Sequence, residues 1–427
     1  MARAWSGMRN ILILLLLVLL PAAPLHAAES ALEACARLAA HPQEEIGVSA
    51  AFESLATSDA LPVCQQAHAE APDDAATTYR LGRVFAAKGS HLEAAQFFLE
   101  AALAGYPMAQ AAYSAILREG RGVQWDPVAS LTWLKRAADQ GHAGSQLELG
   151  TLYLDGLGVA PDVDKAEQAY LAAASHGLAA GWWGLGNIYS REYAGRIDRP
   201  RAIRYYEQAL AANVPEAGVD LGRLKLCDCP ERDLDGAIAL FEAASELDIA
   251  PGWYQLGMVY VDNQFGRRDP ARAVAAFQRA ADLGDVHAAF QLGLVFEREA
   301  ERRPEVRADS EKWLRIAARA GLPEAQLALG KALLFAPEDR RNQEDGTRWL
   351  ESAAAAGMLD DFILLYDYFI QPGVDDLDRV YEYGMIASQF ADPQIANWGA
   401  YMMEQVMERK RLEGLEPPRP PLGSGRG

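Results

Sequence analysis

The stretch SQLELGTLYLDGLGVAPDVDKAEQAYLAAASHG, residues Ser145–Gly177, decides the fold. Its first part gathers Leu147, Leu149, Leu152 and Tyr153 on one helical face, and Gly150 removes a side chain where another helix must approach closely. GLGVAP then breaks the helix. Asp162 is placed to cap a second helix, whose alanine-rich end meets Gly177, where a left-handed residue would stop it. One such pair leaves apolar faces uncovered, so it needs neighbours of its own kind.

Those neighbours are present in the chain. Leu-Gly pairs recur at Leu81-Gly82, Leu149-Gly150, Leu185-Gly186, Leu221-Gly222, Leu256-Gly257, Leu292-Gly293 and Leu329-Gly330. From Gly150 onward the steps are 36, 36, 35, 36 and 37 residues, and the first gap of 68 holds one more unit with Tyr113-Ser114 at the expected place. Asp126, Asp162, Asp198, Asp233 and Asp269 share the cap phase, and proline follows Asp126 and Asp269, as suits a first helical position. The helix-ending glycine recurs as Gly105, Gly141, Gly177, Gly284, Gly321 and Gly357, with Asn213 and Asp248 replacing it in two units. The expected fold is all-α: a right-handed α/α superhelical solenoid of helix-turn-helix repeats of about 36 residues, eight of them over residues 75–357.

LGTLYLDGLGV followed by DKAEQAYLAAASHG resembles the Sel1-like repeat, a relative of the tetratricopeptide repeat, with Ala109–Gly177 matching most closely. The resemblance covers about two thirds of the chain. It implies a scaffold that binds protein partners, with the first helix of each pair lining a concave side. One family member belongs to an alginate pathway, which points to envelope or exopolysaccharide assembly. Secreted cysteine-rich members have been associated with β-lactam binding, an alternative that suits this chain poorly because it has four cysteines in all. Unit five departs from the pattern: Lys225 stands where Tyr153 and Tyr189 stand in theirs, and CDCPERD replaces the glycine loop, so a local irregularity is expected there.

The flanks complete the organisation. Residues 1–28 combine a basic start, the apolar run ILILLLLVLL and PAAPLHAA, the pattern of a secretory signal peptide, so a periplasmic or secreted protein with no membrane span after processing is expected. Residues 29–74 read as an N-terminal helical cap and 358–412 as C-terminal capping helices, with Ile395, Trp398, Met402 and Val406 as the buried stripe of the last one. Residues 413–427 lack a hydrophobic pattern and read as a disordered tail.

The formal net charge of −19 and the absence of a clustered basic stripe argue against a nucleic-acid partner. The chain carries no HExxH, GxSxG, phosphate-loop or dinucleotide motif, and no catalytic residue or cofactor is expected. His41, His68, His91, His142, His176 and His287 are scattered, so no shared metal site is expected, and His142 and His176 read as polar turn residues. In an exported chain Cys35 and Cys64, 29 residues apart, are expected to form a disulfide. For Cys227 and Cys229 a tight local disulfide, free thiols and half of a metal site all stay open, with the disulfide slightly favoured.

Aligning the units by their periodic glycine suggests a binding surface. Four residues before it stand Thr78, Gln110, Gln146, Trp182, Gly218, Trp253, Ala289 and Gln326, a mostly small or polar column. Two residues before it stand Arg80, Glu148, Asp220, Gln255 and Gln291. The candidate groove residues are therefore Trp182, Trp253, Gln146, Gln255 and Gln291. The two tryptophans are either contact residues for a protein, with a polysaccharide as the alternative partner, or packing beside small neighbours such as Gly181, Gly184, Gly218 and Gly252.

Overall fold

A computed structural model describes residues 29–39, 57–191, 197–226, 232–336, 342–357, 359–370 and 376–418, excepting the side chains of 359–361. The described regular structure is helical throughout, and the chain divides into two compact units, 1–213 and 214–427. The first unit holds α1 (Ala31–Ala39), α2 (Thr57–Glu70), α3 (Ala75–Ala87), α4 (His91–Leu103), α5 (Pro107–Glu119), α6 (Pro127–Asp139), α7 (Ala143–Asp155), α8 (Val163–Ser175), α9 (Ala180–Ser190) and α10 (Arg199–Ala211). The second holds α11 (Glu216–Lys225), α12 (Leu234–Glu246), α13 (Ala250–Val261), α14 (Pro270–Asp282), α15 (Val286–Ala300), α16 (Arg307–Arg319), α17 (Pro323–Leu334), α18 (Gln343–Ala355), α19 (Leu359–Phe369), α20 (Leu377–Ala387) and α21 (Pro393–Glu413). Within each unit, helices adjacent in sequence pack on each other.

The periodic aspartates close each hairpin from both ends. The side chains of Asp126, Asp162, Asp198, Asp233 and Asp269 accept hydrogen bonds from first-turn backbone N–H groups of the helices they precede. Their own N–H groups donate back to carbonyls near the end of the preceding helix, at Leu117, Tyr153, Tyr189, Lys225 and Tyr260. One residue thus satisfies orphan groups of two helices. At the other turn of each pair, the helix-ending residues are left-handed. Gly141 has φ 84° and Gly177 φ 89°, and Asn213 and Asp248 hold the same conformation at 61° and 54°.

Gly82, Gly150, Gly186, Gly222 and Gly257 each seat a ring from their own pair, while Gly293 and Gly330 seat Leu314 and Leu350. A Cβ on Gly150 would lie 2.5 Å from the Tyr170 ring, and Gly222 and Gly257 stand equally close to Phe241 and Phe277. Ser114 replaces glycine in the second repeat; its Oγ donates to the Ser130 carbonyl while Ser130 Oγ donates to that of Ser114. The expected irregularity in unit five is also visible. Helix α11 stops at Lys225, whose Nζ donates to the cap Asp233 at 2.7 Å. In three other units the phase carries tyrosine under a cation, Lys165 over Tyr153, Arg201 over Tyr189 and Arg272 over Tyr260.

At the N-terminal end a disulfide joins Cys35 of α1 to Cys64 of α2. Both cysteines are fully buried beside Leu81 and Val84 of α3, so the bridge is part of the core that covers the first repeat. In the second unit one apolar cluster runs from Val219 to Leu333, and another joins Leu334 to the closing helices, with Ile395, Met402 and Val406 of α21 buried and Trp398 packed against them. Residues 1–28, Cys227, Cys229, His41 and the tail from 419 lie outside the described residues. No described helix is long and apolar enough to cross a membrane.

Candidate binding surface

The column four residues before the periodic glycine does not line an open groove, which corrects the expectation for Gln146. Gln110, Gln146 and Gln326 are buried, and their Nε2 groups donate to the carbonyls of Ala102, Ala138 and Ala318 at 3.2, 2.9 and 3.2 Å. Those carbonyls lie in the last turn of the preceding helix and also accept from the N–H groups of Gly105, Gly141 and Gly321. Gln146 also receives His176 Nδ1 at 2.9 Å from 30 residues further on, and Gln110 receives Gln140 in the same way. These glutamines are the seam between successive repeats.

The tryptophans of that column are half-buried and belong to different units. Trp182 stacks on Tyr205 of α10, with centroids 5.9 Å apart and planes at 13°, and Tyr205 stacks in turn on Tyr189. Trp253 packs against the core of the second unit, its indole Nε1 buried without a hydrogen-bond partner. Gln255 on α13 and Gln291 on α15 are half-buried. One face of each tryptophan is therefore committed to packing.

A concavity that the column comparison missed lies wholly within the first unit. About 580 Å³ in volume, it is lined by residues of α4, α5, α7 and α9 together with Ala86, Arg121, Leu178 and His142. Its apolar wall includes Ala111, Ala112, Ala115, Ile116, Leu147 and Leu178. Its charged residues are paired, Arg118 with Glu148 and Arg121 with Glu119.

His142 stands in the turn before α7, as expected, but its ring is buried. It is 6% exposed and caps α7, its Nδ1 accepting from the Ser145 N–H at 3.1 Å and lying 2.8 Å from Ser145 Oγ. An Nδ1 that accepts from a backbone N–H leaves the ring proton on Nε2. Burial lowers the His142 pKa to about 4, so the ring is neutral at pH 7. Its Nε2 is buried and without a hydrogen-bond partner. The sequence did hold a signal: Leu178, Ile249 and Leu322 occupy the same phase after the left-handed residue, where an apolar contact normally packs.

Among the described residues no group of three or more His, Cys, Asp or Glu side chains is placed to hold a metal ion. The capped hairpins, the left-handed stops and the glycine-seated rings define a tandem α/α-hairpin repeat protein. Matches to the Sel1 repeat occupy residues 107–142, 143–178, 183–214, 254–285, 286–322 and 323–358, and the chain belongs to the Sel1 repeat family. The pairs α3–α4 and α11–α12 repeat the same hairpin, with Gly82 against Phe98 and Gly222 against Phe241, outside those matches. Members of this family are in general non-enzymatic scaffolds for protein–protein interaction.

Several solved structures are similar to the chain, among them the following three. A Sel1 repeat protein from Oxalobacter formigenes shares 26% identity over 50% of this chain and 90% of its own, with a TM-score of 0.45. A protective antigen of uropathogenic Escherichia coli with an SLR fold shares 21% over 93% and 97%, with a TM-score of 0.41. An immunity protein from Pseudomonas aeruginosa shares 22% over 49% and 82%, with a TM-score of 0.35.

Proposed function

We propose that this chain is an exported scaffold, periplasmic or secreted, that holds a protein partner on its tandem repeats. The observation that carries the scaffold reading is the run of six Sel1 repeats, a family whose members bind protein partners. Export is supported by the basic, apolar and small-residue pattern of residues 1–28 and by the buried Cys35–Cys64 bridge, since structural disulfides belong to oxidising compartments. A protein partner is favoured over a polysaccharide because members of the Sel1 repeat family bind protein partners.

The test is fractionation of the full chain expressed with its own N-terminus, followed by mass analysis and cross-linked affinity capture. Export predicts a mature start at Ala28 or Glu29 and a recovered Cys35–Cys64 peptide under non-reducing conditions. An intact Met1 in a cytoplasmic pool with both thiols free overturns export. A specific protein recovered from the envelope fraction supports the scaffold and shows whether the setting is envelope or exopolysaccharide assembly; recovery of glycan alone overturns the protein-partner reading.

A further inference from the structure

The N-terminal cap covers the first repeat with little apolar mass of its own. In the repeats of the first unit the second helix of each pair brings one large buried side chain, Phe98, Leu134, Tyr170 or Tyr206. Among the described residues of α1 and α2 the buried side chains are Cys35, Ala39, Ala60, Cys64 and Ala67, none larger than cysteine. Leu32, Leu38, Leu61 and Val63 pack around them only partly buried. Helix α1 has 9 residues, fewer than the roughly 12 that an isolated helix needs in water. Helix α2 carries Pro62 in its interior, which brings no N–H to the helix ladder. Neither helix is strong by itself.

What joins them is covalent. The Cys35–Cys64 bridge sits in the middle of this small-residue contact, fully buried beside Leu81 and Val84 of α3. It ties positions 29 residues apart and so removes conformational freedom from a released cap. A second tie runs from Arg83 Nη1 of α3 to the Ala39 carbonyl at 2.7 Å, and it needs the end of α1 already in place. The apolar cluster around the bridge shares no buried residue with the cluster of the next repeats, which runs from Tyr79 to Ile116. Loss of the first therefore leaves the second whole, the condition for local rather than global opening.

Resting on the export reading for its use in the cell, we propose that the Cys35–Cys64 bond is a redox latch. Oxidised, it holds α1 and α2 over α3; reduced, it lets the two helices detach and uncovers Leu81 and Val84 while α5–α8 stay folded. Opening takes two electrons and two protons from a dithiol. One of its thiolates attacks a cysteine sulfur and breaks the S–S bond, and its second thiol displaces the mixed disulfide, leaving two cysteine thiols and an oxidised dithiol. Both sulfurs are fully buried, so a closed latch is shielded from reductant. The cap stays open while the chain is in a reducing compartment and closes after export.

The test compares the full exported chain in its oxidised form with the same chain unfolded in urea and refolded with dithiothreitol, which keeps both sulfur atoms and lacks only the bond. Amide exchange read by mass spectrometry should quicken at least about tenfold over residues 31–39 and 57–70 of the reduced chain and stay unchanged over α5–α8. Carbene labelling should rise at Leu81 and Val84. A Cys35→Ala/Cys64→Ala chain, which cannot reoxidise, should match the reduced one in both readouts, and it serves as the test if the reduced chain does not refold. Equal protection of α1 and α2 with and without the bond overturns the proposal. Faster exchange spreading through α5–α8 also overturns it, because the bond would then support the whole unit. An intact Met1 in a cytoplasmic pool sinks the export reading and with it the latch's use in the cell, whereas a processed, exported chain whose α1 and α2 hold without the bond sinks the latch alone.

Discussion

Two stretches of the chain, α5–α8 and α13–α16, build the same hairpins and close the seams between them by opposite chemistry. In the first stretch, Gln110 and Gln146 reach back to carbonyls of the preceding repeat and are met by Gln140 and His176 from the next. In the second, the same column carries Trp253 and Ala289, which donate nothing across the seam and merge with the core running from Val219 to Leu333. The polar seam adds an inter-repeat donor to helix-end carbonyls; the apolar one gains buried area instead. Polarity in a repeat column therefore does not mean exposure.

The largest expected effect tests the apolar seam. Phe277 is fully buried against Gly257, and Phe277→Ala should cost about 3–5 kcal/mol in urea unfolding, with hydrogen exchange rising first in α13–α16. A loss below about 1 kcal/mol would mean that this core is not continuous in solution.

The first stretch should respond to acid through His142. His142 titrates at about 4 when folded, against about 6.5 in an unfolded chain, so between these values the unfolded state binds the extra proton. Stability present above pH 6.5 is then lost as pH falls toward 4, at no more than about 1.4 kcal/mol per pH unit and about 3 kcal/mol in total. His142→Asn should flatten that dependence in pH-dependent exchange of α7 amides. An unchanged acid profile in the variant would falsify the assignment of a neutral, buried ring.

Exchanging the two seam chemistries sharpens the contrast on a smaller scale. Gln146→Leu should destabilise by about 1–2 kcal/mol, because it removes two hydrogen bonds across the seam, to the Ala138 carbonyl and from His176. Trp253→Phe should be within about 1 kcal/mol of neutral, since it removes a buried indole N–H that has no partner. Equal losses at the two positions would erase the distinction. Smallest of all, Arg272→Ala should cost about 0.5–1 kcal/mol through the cation held 4.0 Å from the Tyr260 ring centroid, and Lys165→Ala less, at 5.6 Å from Tyr153.

The features that the sequence determined by itself are those whose physics is local or strictly periodic. A capping aspartate reaches N–H groups two or three residues away, so Asp126 and its equivalents could be read from their phase. A left-handed stop is a property of one residue, which is why Asn213 and Asp248 were recognisable beside the glycines. Gly150 announced a close approach, although not that the Tyr170 ring makes it. Tertiary structure alone decided the rest. Whether Gln146 faces a groove or a seam depends on Ala138 and His176, whether Trp182 is free or stacked depends on Tyr205, and whether the His142 ring is exposed or buried depends on the helices packed around it. Burial of a polar side chain is settled by the acceptors that packing brings to it, and those acceptors lie in other turns and other repeats.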